Sequence, residues 1–155
     1  MAAAAEVKDT DGSRRQSRRA AVMLLYQEDI TGYPMEQIVT QHEVDAARPL
    51  PTYARSLIDG VHLHRVALDE EIDERADGWS LERIAPVERA VLRVALLELD
   101  QDDPPAAVAI AEAVALASRY ASPEAAAFVN GIISAAARTR GKGRYSPVDE
   151  RRRPL

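Results

Sequence analysis

No cysteine occurs among the 155 residues. That absence excludes a disulfide, a thiolate zinc site, an iron–sulfur cluster and a cysteine nucleophile. Aromatic side chains are also scarce, with one Trp, one Phe and five Tyr. A core must therefore be assembled from Leu, Val, Ile and Ala, which suits close-packed helices. The leader MAAAAEVKDTDG has no apolar stretch of signal-peptide length. The longest uncharged apolar-rich run, 125–137, is too short to span a bilayer and contains Asn130. A cytoplasmic protein with no membrane partner is the expectation. Glycine-loop and catalytic signatures are missing too: there is no GxSxG, Walker loop, GxGxxG or HExxH. His62 and His64 stand two residues apart, so on a helix they point to different faces and cannot share a metal as an i, i+4 pair would. No catalytic residue, metal or cofactor is expected, and the chain reads as a non-enzyme.

The charges that are present are unevenly placed. The sum is −5, from 20 Lys+Arg and 25 Asp+Glu, which alone disfavours a nucleic-acid partner. Residues 13–26, however, carry Arg14, Arg15, Arg18 and Arg19 and no acid. The stretch 138–155 holds seven bases against Asp149 and Glu150. Between them, residues 27–137 hold 8 bases and 20 acids, a charge of −12. The chain is an acidic body with two basic ends.

Helical spacing organises nearly all of the chain. A leader, 1–12, is small, polar and acidic and reads as disordered. A helix starts near Ser13 and runs to the break at Thr31–Gly32, and a weaker one covers about 35–46. After Pro49 and Pro51 the positions Leu57, Val61, Leu68 and Ile72 keep one phase, predicting a long helix over about 52–76 with Gly60 as a close-packing point. Ser80 caps a short turn, and Pro86 opens a helix over 86–100 whose apolar residues cover more than one stripe. Asp103 as cap with Pro104 at the first helical position predicts a helix over 105–120. Ser122–Pro123 repeats that signal for a last helix, 123–138. Gly131 in that helix suggests close helix approach, and Asn130 a side-chain amide in need of a partner. The tail 141–155 lacks apolar periodicity and reads as disordered and basic, either solubilising or a weak tether to nucleic acid. The reading is all-α, about seven helices in one domain over 13–140.

Function is signalled most sharply by the first helix. At about 100° per residue, Arg15, Arg19, Met23 and Tyr26 fall along one row, with Arg14 and Arg18 on the next. Guanidiniums followed by an aromatic can hold a phosphate backbone and offer an unpaired base a stacking surface. A solvated polar face is the competing reading. Cations at a helix N-terminus oppose the helix dipole, so something external is expected to compensate them. Phe128 has both a core and a functional reading, since it shares a face with Ile132. Glu88 has an intrahelical pair with Arg89 or Arg93 as its plain explanation.

Four segments, SRRQSRRAAVMLLYQ, LIDGVHLHRVALDEEI, WSLERIAPVERAVLRVALLEL and VAIAEAVALASRYASPEAAAFVNGII, together resemble the NusB transcription antitermination family in order and spacing. The resemblance covers about residues 13–137. It implies two packed helical sub-bundles, the first holding the first three helices. It also implies a non-catalytic scaffold that binds the single-stranded boxA element of nascent, typically ribosomal, RNA together with the ribosomal protein NusE. Other Nus factors and RNA polymerase complete the implied assembly. By position, the family's RNA-contacting surface falls on Arg14, Arg15, Arg18, Tyr26, Glu88, Glu124 and Phe128. Where the family has INEAVELAK this chain reads IAEAVALAS, with Ser118 for the lysine and Arg119 beside it. Two rivals stand beside this reading. One is a self-associating bundle, with Leu97 and helix 86–100 supporting a homodimer. The other is a stand-alone relative of the RNA-binding domain of ribosomal RNA cytosine methyltransferases, whose catalytic domain would have to follow Leu155.

Overall fold

The computed structural model describes residues 11–101 and 103–140, with side chains from Ser13 onward. The leader up to residue 10 and the tail 141–155 lie outside the described residues. Seven α-helices and one 3-10 turn make up the fold: α1 (Asp11–Thr31), α2 (Met35–Ala46), α3 (Thr52–Leu63), α4 (Arg65–Arg75), the turn Leu81–Arg83, α5 (Pro86–Leu99), α6 (Ala106–Tyr120) and α7 (Pro123–Thr139). Among the described residues there is no strand.

Helix α5 is the hub. Its residues from Ala90 to Glu98 are all buried, and it packs against α1, α3, α4, α6 and α7. Helices α1 to α3 form one group on it, and α6 and α7 pair on its other side. The apolar coverage of more than one stripe is thus explained by neighbours on several faces. The core is aliphatic, with Leu24, Leu57, Ile58, Leu68, Ile72, Leu92, Leu96 and Ile133 among its largest fully buried members. Gly60 is where α3 meets α5: a Cβ there would lie 2.6 Å from Cδ2 of Leu97. That contact buries Leu97, so the side chain is spent inside the fold and offers nothing to a homodimer.

Several sequence expectations are corrected. Helix α1 begins at Asp11, two residues before Ser13, so the expected leader ends sooner. The long helix over 52–76 is two helices hinged at His64, whose φ of −106° and ψ of 15° leave the helical region. Val61 and Leu68 stay buried on either side of the hinge. The kink keeps the phase of the apolar stripe, so spacing carries no trace of it. Helix α6 begins at Ala106, after Pro105. A residue that precedes proline is pushed out of the helical region, which bars Pro104 from opening the helix. Gly131 makes no close approach, since a Cβ there meets nothing within 4 Å. Asn130 is exposed and accepts a hydrogen bond from Ser134 Oγ at 3.2 Å. The Ser122 signal holds: its Oγ accepts from the Ala125 N–H at 3.0 Å, with Pro123 next in the helix.

Candidate nucleic-acid interface

Three of the four guanidiniums at the start of α1 meet acids of α5, of α6 and of the connection between them. Arg18 is 3% exposed and Glu98 of α5 is fully buried. Arg18 donates through Nε to Glu98 Oε1 at 2.6 Å and through Nη2 to Oε2 at 2.7 Å, a two-pronged pair. The Tyr53 hydroxyl donates to the same Oε2. Burial would lower the Arg18 pKa, but the hydrogen bond and charge of Glu98 outweigh it and hold the guanidinium above its usual range. Tyr53 is pushed well above the usual phenol range, first by burial and then by the Glu98 charge. Arg18 therefore clamps α1 onto α5 inside the protein. Its expected role as a phosphate contact does not fit that burial.

Arg14 and Arg15 sit nearer the surface. Arg14 Nη1 is 2.9 Å from Asp103 Oδ2, and its guanidinium stacks 4.9 Å from the centre of the Tyr53 ring. Arg15 pairs with Glu112 of α6 at 3.1 Å, yet its side chain remains 60% exposed. The dipole penalty of cations at a helix start is thus offset from within, by Asp103, Glu112 and Glu98. The expected external compensation is not required. Tyr26, two turns on, is half-buried and packs against the core.

Glu88, Glu124 and Phe128 come together at a separate place. They line one cavity of about 280 Å³ with Trp79 and Arg83, between the start of α5 and the start of α7. The proposed intrahelical pair at Glu88 is absent: Arg89 instead bonds Asp29 of α1 at 2.8 Å, and Arg93 bonds Asp69 of α4 at 2.7 Å. Helical spacing alone favours i, i+4 pairs, but a long arginine on a central helix reaches acids on its neighbours. Glu88 is left facing the cavity, where burial raises its carboxyl above the usual range. Phe128 is half-buried and touches the core while also forming the cavity wall. The core reading is thus met in part, and the rest of the ring is left to line the cavity.

Tyr53, Glu98 and Glu112 escaped the sequence reading, as did the pairing of Asp103, read only as a cap, with Arg14. A single acid inside the apolar run VALLEL was the available signal for Glu98, because a buried carboxylate requires a partner. Among the described residues no group of three or more His, Cys, Asp or Glu is placed to hold a metal ion. No described helix is long and apolar enough to cross a membrane.

A helical bundle built on one central helix, with an arginine-bearing first helix and an acidic, aromatic-walled cavity, defines a class of binding scaffold. The NusB family model matches residues 15–138, and this chain belongs to the NusB family. The transcription antitermination protein NusB of Thermobifida fusca is 37% identical over 124 residues, covering 79% of this chain and 87% of that protein. NusB of Saccharopolyspora erythraea is 41% identical over 128 residues, covering 79% and 84%. Among solved structures, T. maritima NusB superposes with a TM-score of 0.74 at 32% identity, covering 85% of this chain and 95% of that one. A chain from a structure of the antitermination factors NusB and NusE in complex with double-stranded RNA superposes with a TM-score of 0.72 at 26% identity, covering 82% and 97%.

Proposed function

We propose that this chain is a non-catalytic transcription antitermination factor that binds boxA-type single-stranded RNA of nascent ribosomal transcripts jointly with the ribosomal protein NusE. The cavity that gathers Glu88, Glu124 and Phe128 carries this reading, because Glu88 of α5 meets Glu124 and Phe128 of α7 at one surface although α6 separates the two helices in the chain. The likeness to a chain solved with NusE and RNA supports the choice of partners. Arg14 and Arg15 contact phosphates, exchanging Asp103 and Glu112 for the RNA backbone. Tyr26 and Phe128 stack or pack against unpaired bases, and Glu88 accepts hydrogen bonds from a base edge, with Glu124 at the rim. Arg18 acts indirectly, by fixing α1 to α5. The excess acid of the body meets the basic ribosomal protein. The assembly then joins other Nus factors on RNA polymerase in the cytoplasm.

A pull-down scored for both NusE and boxA RNA tests the reading. Recovery of both, with RNA retention raised by NusE, is the expected result. Recovery of neither refutes it.

A further inference from the structure

Trp79 is the only tryptophan in the chain, and the fold does not use it as core. It is 55% exposed and stands outside the buried cluster that Phe128 touches. Asp77 and Gly78 just before it both have positive φ, 36° and 86°, so the chain turns sharply after α4 and delivers the indole between α4 and α7. There it lines two hollows. The first, about 280 Å³, is the one holding Glu88 and Glu124. The second, about 300 Å³, shares the same two aromatics and is otherwise lined by the end of α4, with Arg75, and by Gly131 and Ile132 of α7. Trp79 and Phe128 wall both.

We infer that Trp79 is a base-stacking residue and that the hollow over Gly131 is a second subsite for an unpaired nucleobase, next to the one at Glu88. The inference rests on the RNA reading above and extends its path along α7. An indole gives a large flat face at little entropic cost, and stacking accepts any base. The carboxylates of Glu88 and Glu124 repel phosphates, so bases turn inward here while the backbone stays outside. Gly131 suits such a floor: it is helical, yet a Cβ there would meet no protein atom within 4 Å. The missing side chain leaves room for a ligand, since no neighbouring helix occupies it.

The single tryptophan makes the test direct. The chain is produced with 5-fluorotryptophan and titrated with single-stranded boxA RNA, with and without NusE, following the one ¹⁹F resonance while fluorescence anisotropy of labelled RNA reports binding. The resonance should shift in proportion to RNA bound. Trp79→Ala should weaken binding about fivefold or more, and Trp79→Phe should retain most of it. Gly131→Leu should weaken RNA binding without lowering the melting temperature, because its bulk enters only the hollow. RNA binding with an unmoved resonance and full affinity in Trp79→Ala and Gly131→Leu overturns the inference and leaves the RNA reading intact. A shift produced by NusE alone, with no further change on adding RNA, also overturns it and gives the surface to the protein partner. Absence of RNA binding even with NusE removes the RNA reading and this inference with it. Should Trp79→Ala fail to fold, the ¹⁹F titration and Gly131→Leu decide.

Discussion

The start of α1 and the cavity beside Trp79 are opposite kinds of surface. At the first, arginines that stand out in the sequence are met by acids of the same chain: Arg14 by Asp103, Arg15 by Glu112 and Arg18 by Glu98. At the second, Glu88 and Glu124 face a hollow walled by aromatics. A run of one charge sign in sequence is therefore no measure of free charge in space. The arginine-rich start and the −12 body are separate along the chain, yet three of the four arginines are interlocked with its acids in the fold. What distinguishes the arginines from one another is burial, which separates Arg18 inside the fold from Arg14 and Arg15 nearer the surface.

The largest effect expected from that distinction is on stability. Arg18→Ala strands the Glu98 carboxylate inside the protein, and leaving one partner of a buried pair costs about 3–5 kcal/mol. Urea unfolding should show a loss of that order, whereas Arg15→Ala should stay within about 1 kcal/mol, as expected for an exposed pair. Equal losses at the two positions would erase the contrast. Two of the α-helical glycines, Gly60 and Gly131, give a second, smaller contrast. Gly60→Ala forces a methyl group onto buried Leu97 and should cost about 1–3 kcal/mol. Gly131→Ala meets no obstruction and should stabilise by up to about 1 kcal/mol, the helix-propensity difference. Thermal melts of the two variants should move in opposite directions.

Smaller still is the expected effect of Asp103→Asn. It frees Arg14 from an acid whose side chain is 73% exposed, so RNA affinity should rise about two- to fivefold at low salt, the scale of an exposed ion pair. Unchanged or weaker binding would mean that the Arg14–Asp103 contact does not compete with RNA. The last effect concerns pH. Burial raises the Glu88 carboxyl, so its ionised form is disfavoured in the folded state and costs stability at neutral pH. Glu88→Gln should therefore unfold slightly later than the parent at pH 7 while binding RNA less well. That gain should vanish as the pH falls through the carboxylate range, where Glu88 takes up its proton. A gain that persisted at low pH would point to a cause other than charge.

Much of the fold was legible because its helix boundaries are set by local chemistry. Pro86, and Ser122 with Pro123, mark helix starts wherever they stand, and both are found as read. The hinge at His64 was illegible, since the apolar phase continues through it. The prolines after Asp103 were misread by two residues because the second one restricts the first. For the site, the sequence pattern selects residues but not their company. Arg18 and Glu98 lie 80 positions apart, and nothing near Arg18 announces a buried acid. Trp79, in the connection between α4 and α5, gains meaning only from the two hollows that it lines.

Whether Arg14 and Arg15 exchange their acids for RNA phosphates is measured most directly by the salt dependence of RNA binding. BoxA RNA is titrated with the NusE complex of the parent chain and of the Arg14→Ala, Arg15→Ala double variant across a range of salt concentrations. Single-stranded binding loses about 0.7 in the slope of log K against log salt for each phosphate contact removed. The expectation is weaker binding, a slope flatter by about 1.4 and a melting temperature lowered far less than by Arg18→Ala. Unchanged affinity and slope in a folded double variant would contradict it.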